Sequence, residues 1–277
     1  MSALRGQVCL LTGATGGIGR ALVAALRSQG VQLALSDRDP DALKAMANAL
    51  AAEGPRPSVH VADMRDPDSI RAMVASVEAT HGRLDLLICN AGVMSFGPFA
   101  DHKPNDIDWL LEVNLSGLVH CCHASVPLMR RSGGGHIVLM SSMNGLFGVP
   151  TSLLYSTTKW GVRGFGMGLR AELAAHGIGV TTVLPGAVAT SLIAEARSYD
   201  DTLVAQIKPF IERFALNPNR LARRILRAIR WNLAESTVGV DAWSVRILMR
   251  WFPRLLPTVL TWSFRGTAAR VEGTTKV

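Results

Sequence analysis

The chain has 277 residues, 48% hydrophobic and 18% charged, which supplies a large core and excludes a disordered chain. Its formal net charge of +8 is uneven: 13 of the 29 Lys+Arg and 5 of the 21 Asp+Glu fall in residues 201–277, so the last 77 residues carry the whole excess. No stretch reaches the roughly 18 uncharged apolar residues of a membrane span, and with an apolar run beginning by Gln7 no signal peptide is expected. Cys9, Cys89, Cys121 and Cys122 have neither disulfide-framework nor metal spacing, so a reduced, cytoplasmic protein without a metal is expected. His120 and His123 flank the cysteine pair with no carboxylate or second cluster nearby, and read as helix packing.

Residues 7–12, QVCLLT, read as a buried strand followed at once by the glycine-rich GATGGIG. Leu22, Val23, Leu26 and Val31 then mark the buried side of an amphipathic helix, with Gly30 as its stop. Strand, glycine turn and helix together offer backbone N–H groups and a helix N-terminus to a pyrophosphate. The glycines at 13, 16, 17 and 19 depart from the common G-x-G-x-x-G spacing. The next strand, VQLALSD, ends in Asp37, eighteen residues after Gly19. A carboxylate there can bind the adenosine ribose and repel a 2′-phosphate, which favours NAD; Arg38, directly after it, can accommodate the phosphate and keeps NADP as the alternative.

The alternation then continues. A polar helix over 40–53 precedes the strand SVHVA, which leads to Asp63, and a helix over 67–81 precedes LDLLICN, which leads to Asn90-Ala91-Gly92. A long helix over 104–131, the strand HIVLMS, a helix and the strand GVTTVL follow, ending in Pro185-Gly186. Strands alternating with helices specify an α/β fold, a doubly wound parallel sheet covered on both faces, with ligands at the strand carboxyl ends. The expected organisation is one Rossmann-type domain over 1–240, with a C-terminal helical extension over 241–277.

The stretch from Ser142 to Lys159 carries the chemistry. Tyr155 and Lys159 are four residues apart, so on a helix they share one face. A neighbouring ammonium favours phenolate, and the expectation is a Tyr pKa drawn down towards neutrality, suited to general acid/base work.

Thr12-Gly-Ala-Thr-Gly-Gly-Ile-Gly19, Asn90-Ala-Gly92, Asn114, Ser142, Tyr155-x-x-x-Lys159 and Pro185-Gly-Ala-Val-Ala-Thr190 resemble, in order and spacing, the short-chain dehydrogenase/reductase family. The resemblance spans residues 1 to about 195 and implies a role for each position. Tyr155 would be the general acid/base, Lys159 its activator and a ligand of the nicotinamide ribose, and Ser142 the hydroxyl that polarises the carbonyl, with Ser141 as its competitor. Asn114 would hold a water linking Lys159 to solvent. Gly13, Thr15, Gly17, Ile18 and Gly19 would form the pyrophosphate turn, and Asp37 and Arg38 the ribose edge. Asp63 would contact adenine, Asn90, Ala91 and Gly92 would lie along the cofactor, and Pro185, Gly186, Val188 and Thr190 would hold the carboxamide.

The family's variable lid would fall at about 190–215, offering Leu192, Ile193, Leu203, Phe210 and Phe214 as apolar walls, with Met143, Leu146 and Phe147 near the serine. A hydrophobic alcohol or ketone is the substrate this implies. Gly161, Gly164, Gly166 and Gly168 follow Lys159, and the family's subunit contact on this helix implies a homodimer or homotetramer.

The basic end reads RLARRILRAIRW from Arg220, then a final strand near STVGV, then WSVRILMRWFPRLLPTVLTWSFR. Arginines beside Trp, Phe and Leu in residues 243–265 suit a peripheral contact with an anionic membrane; the competing expectation is a helix roofing the substrate pocket. Nucleic acid fits less well, because the bulk of the segment is apolar.

Overall fold

The computed structural model describes residues 4–199, 205 and 215–263. Its first half alternates β1 (Val8–Thr12), α1 (Gly17–Arg27), β2 (Gln32–Asp37), α2 (Pro40–Ala51), β3 (Ser58–Val61), α3 (Pro67–His81) and β4 (Leu86–Cys89). A two-residue strand β5 (Ser95–Phe96) leads to α4 (Pro104–Leu111) and α5 (Gly117–Arg131). The second half runs β6 (Gly135–Met140), α6 (Leu153–Leu173), β7 (Ile178–Pro185), β8 (Arg197–Ser198), α7 (Pro218–Arg230), β9 (Glu235–Val238) and α8 (Val240–Trp251). Residues 255–263 are also helical.

Seven strands form one sheet in the order β3-β2-β1-β4-β6-β7-β9, and every pairing in it is parallel. Strand residues alternate between the two faces, so both faces must be buried. Cys9 and Leu11 of β1 pack with Leu22 and Leu26 of α1 and with Leu221, Ile225 and Ile229 of α7. Val8 and Leu10 face the other way, towards Ile70 and Val77 of α3, Leu118 and Cys122 of α5, and Val162 of α6. The doubly wound α/β arrangement is the one expected.

Local chemistry sets several boundaries. Asp66 caps α3 by accepting the Asp68 N–H, Pro67 stands in the first turn, and Gly82 ends the helix at φ 69°. Asp39 caps α2 in the same way, accepting from Asp41 and Ala42, and Asn217 caps α7. The long helix expected over 104–131 contains a π-helical turn, Glu112–Ser116, between α4 and α5.

Packing bears on two of the expectations. Gly161 and Gly166 serve their own chain: a Cβ at Gly161 would stand 3.0 Å from Leu115, and one at Gly166 would press on Leu139 and Thr182. Only Gly164 and Gly168 have open space around them. At the C-terminus, Val245, Met249, Leu256 and Leu260 pack on Leu146, Phe147 and Leu184, so one face of the extension is part of the core. Arg246 is not free either, for it pairs with Glu235 at 2.9 Å and donates to the Thr237 hydroxyl.

Candidate active site

Strand order reverses direction between β1 and β4, and a cavity of about 490 Å³ opens there at the strand carboxyl ends. The Thr12 hydroxyl at the end of β1 accepts the N–H groups of Asn90 (3.1 Å) and Ala91 (3.2 Å). Asn90 Nδ2 donates back to the carbonyls of Thr12 (3.1 Å) and Gly13 (2.9 Å), so the two turns are laced together. Gly13 cannot carry a side chain: its φ is +64° and a Cβ would lie 2.7 Å from Ala91 Cα. A Cβ at Gly17 would meet Thr190 at 2.9 Å.

At one end of the cavity Asp37 Oδ2 accepts from the Thr15 hydroxyl (2.6 Å) and N–H (3.1 Å), while Oδ1 accepts the Arg38 N–H (2.8 Å). The carboxylate is therefore first a brace for the glycine turn, and only its remaining lone pairs face a ligand. Beside it the buried Ser36 hydroxyl has no partner among the described residues and lines the cavity. Asp63 is gripped by Arg65, whose hydrogen bonds (Nε–Oδ2 3.0 Å) hold its carboxyl below the usual range.

The other end carries the reactive groups. Ser142, extended at φ −162°, follows β6, and its hydroxyl accepts the Asn144 N–H at 3.2 Å. Ser141 is committed elsewhere, donating to the Lys159 carbonyl at 2.8 Å, which favours Ser142 as the group facing a ligand. Lys159 Nζ stands 5.4 Å from the Tyr155 ring centre and donates to the Met140 carbonyl at 3.0 Å. An ammonium has three donors, and this is its only hydrogen bond among the described residues, so the rest can serve a ligand in the cavity.

The expected lowering of the Tyr155 pKa is not what this geometry produces. Burial pushes the phenol up to about 12, and the nearby Ser142 hydroxyl pulls it only partly back. Burial likewise lowers Lys159 to about 8. Taking either charge out of water outweighs their mutual effect across this separation.

Of the positions assigned from the sequence, Asn114 and Gly19 do not line the cavity. Asn114 lies in the π-helical turn and bonds backbone on both sides, accepting the Val93 N–H (2.8 Å) and donating to the Val93 carbonyl (2.8 Å). It stands behind Gly92, whose Cβ would lie 3.3 Å from Asn114 Oδ1 and 3.5 Å from Lys159 Nζ. Gly19 lets α1 close on the turn, where a Cβ would strike the Gly13 and Ala14 carbonyls. Thr15, Gly17, Ile18, Asp37, Arg38, Asp63, Pro185, Gly186, Val188 and Thr190 all line the cavity.

Its walls near Tyr155 are apolar: Val93, Met94, Phe96, Met143, Phe147, Val149, Leu192 and Ile193. Leu146 turns instead to the C-terminal helices, and Leu203, Phe210 and Phe214 lie outside the described residues. Ser152, 3% exposed, also lines the cavity with its hydroxyl unpartnered among the described residues. Sequence spacing gave no sign of Ser152, Ser36 or Arg65, since a lone serine or arginine is informative only once its neighbours are known. A clasp ties β8 and Tyr199 to β5 and α4. β5 pairs with β8, Arg197 stacks 3.8 Å over Trp109, and both Arg197 and the Tyr199 hydroxyl donate to Asp106.

A parallel sheet with a glycine-braced crevice and a Ser-Tyr-Lys cluster at its strand ends defines a Rossmann-type dehydrogenase fold. The family model described as short chain dehydrogenase matches residues 7–201, and the chain belongs to the short-chain dehydrogenase/reductase family. It is 34% identical over 254 residues to "Putative oxidoreductase SadH" of Mycobacterium tuberculosis, covering 90% of this chain and 92% of that protein. Among solved structures, a metagenomic short-chain oxidoreductase in complex with NADP is 32% identical, with a TM-score of 0.71 over 86% of this chain and 98% of that one. A short-chain dehydrogenase/reductase from Burkholderia phymatum in complex with NAD, 24% identical, has the same fold, with a TM-score of 0.86 over 92% of this chain and 97% of that one.

Proposed function

We propose that the protein is a NAD(P)-dependent oxidoreductase that interconverts a hydrophobic secondary alcohol and its ketone. The observation that carries this reading is the buried Tyr155 phenol, 7% exposed, which shares the wall of a largely apolar cavity with Ser142 and stands beside Lys159. The opposite end suits a dinucleotide: close-approach glycines, an unpartnered Ser36 hydroxyl and the Asp37 carboxylate. Relatives named as oxidoreductases, and one related structure holding NADP, support the same class.

A bound nicotinamide would supply or accept the hydride. In the reducing direction the Ser142 and Tyr155 hydroxyls donate hydrogen bonds to the substrate carbonyl oxygen, in place before negative charge develops there. Tyr155 then releases its proton to that oxygen, and the adjacent ammonium of Lys159 lowers the cost of the phenolate left behind. The buried setting that raises the phenol pKa keeps Tyr155 protonated for reduction, so oxidation asks more of Lys159. Asn114 acts from behind Gly92, holding the 93–94 backbone and flanking the lysine.

NAD is the proposed cofactor ahead of NADP, because Asp37 opposes a 2′-phosphate and Arg65 is neutralised by Asp63, leaving Arg38 as the competing cation. A homodimer or homotetramer is proposed through the outer face of α6, where Leu153 (45%), Trp160 (45%) and Met167 (62%) are exposed. A dinucleotide-binding protein without catalysis is the weaker reading, since it has no need of Ser142, Tyr155 and Lys159 together. Absorbance at the reduced-nicotinamide band, followed across a panel of apolar alcohols and ketones, tests the proposal. Turnover with at least one secondary alcohol or ketone is expected, and cofactor binding without turnover on any would leave the binding reading.

A further inference from the structure

Residues 240–277 carry six Lys+Arg against two Asp+Glu, and the described part of this segment has a large uncovered apolar face. α8 and the helical residues 255–263 use Val245, Met249, Leu256 and Leu260 to pack on the body. The opposite side presents Trp243 (54% exposed), Trp251 (70%), Phe252 (60%) and Trp262 (78%), joined by Ile247 and Leu255. Solvating three tryptophans and a phenylalanine on one short stretch is costly, and a patch of this kind marks an interaction surface.

The charges on this stretch have one sign. Arg250 and Arg254 are exposed and pair with no carboxylate among the described residues. The one acidic residue of 240–263 is Asp241, and its carboxylate is turned inward to the Ala187 N–H. Residues 264–277 add Arg265, Arg270 and Lys276 against Glu272 in sequence.

We infer that this face of the C-terminal helices docks on an anionic bilayer surface. Tryptophan combines an apolar body with a polar N–H, which suits the headgroup boundary, while unpaired arginines beside it answer lipid phosphates. A second copy of the chain fits less well, because two-fold pairing would bring Arg250 and Arg254 together with no carboxylate between them. The contact is peripheral, for no helix among the described residues is long and apolar enough to cross a membrane. Phe147 touches both the packed side of these helices and the cavity, so docking brings the cavity wall close to the bilayer. That consequence for an apolar substrate rests on the proposed oxidoreductase function; the docking itself does not.

The test is co-sedimentation of the full chain with vesicles of phosphatidylcholine alone or mixed with phosphatidylglycerol, read without substrate. Binding is expected to the mixed vesicles, to weaken in high salt, and to fall roughly 30-fold in an Arg250→Gln, Arg254→Gln variant, two charges near an anionic surface being lost. Trp251→Ser with Trp262→Ser should abolish binding while leaving the thermal midpoint and far-ultraviolet dichroism unchanged. Failure to sediment with mixed vesicles, or equal sedimentation of wild type and the double glutamine variant, would overturn the proposal. So would a dimer seen by ultracentrifugation that dissociates in the Trp251→Ser, Trp262→Ser variant, since the face would then be covered by a second copy.

Discussion

The Asp241 carboxylate, in the first turn of α8, accepts the backbone N–H of Ala187 at 2.8 Å, tying the C-terminal extension to the turn after β7. Gly186 and Gly239 pack so closely on this carboxylate that a Cβ at either would collide with it. The extension is thereby mechanically joined to the Pro185-Gly186 wall of the cavity. Asp241→Ala should raise the cofactor KM by about 10-fold or more, given the roughly 1.5–3 kcal/mol of a hydrogen bond to a charged group. Asp241→Asn keeps the acceptor and should recover most of the loss. Steady-state kinetics separate KM from kcat here, and an unchanged KM in Asp241→Ala would show that the tie is structural only.

Glu235 stands between two guanidiniums, Arg163 of α6 at 2.7 Å and Arg246 of α8 at 2.9 Å. Burial raises its pKa, but Arg163 and Arg246 more than compensate, and the net shift is downward. A carboxylate depressed in the folded state adds stability above its unfolded pKa and loses it as pH falls through the folded value. Glu235→Gln should therefore cost about 1–3 kcal/mol at neutral pH, between exposed and buried ion pairs because the group is partly solvated. The difference from wild type should shrink in strongly acidic buffer. Denaturant unfolding at two pH values checks this, and a pH-independent difference would contradict it.

Asp37 braces Thr15 and also faces the cavity, so Asp37→Ala should have two effects. kcat/KM with NAD should fall, and the preference over NADP should narrow or reverse once the carboxylate no longer repels a 2′-phosphate. A wild-type enzyme that strongly prefers NADP would mean that Arg38 governs this edge.

The α6 stripe gives a size prediction. Trp160→Glu should convert the proposed oligomer to a smaller species, because a carboxylate at a packed apolar contact is costly to bury. Light scattering of both proteins decides it; the same mass for each would move the contact elsewhere.

Much of this arrangement is legible in sequence because its causes are local. Buried parallel strands such as Val8–Thr12 and Leu86–Cys89 are continuous apolar runs, and the Asp66-Pro67 start of α3 is a cap with a mechanism. What escapes depends on contacts between distant residues. Tyr155 and Lys159 share a helix face as their spacing requires, yet spacing cannot report the burial that sets both pKa values. The glycines of α6 signal close approach without saying to whom, and two of them approach their own chain. β5 and β8, two residues each, are too short for any periodicity. In α8 the apolar pattern runs all round the helix, so it could not say which side the body would cover.

Tyr155 is proposed to exchange the proton that accompanies hydride transfer. The most direct measurement is turnover of Tyr155→Phe on a substrate accepted by the wild type, with dinucleotide affinity measured in parallel by fluorescence. A fall of at least ~100-fold in kcat is expected, with affinity largely intact. Near-wild-type turnover in Tyr155→Phe, on any good substrate, would contradict it.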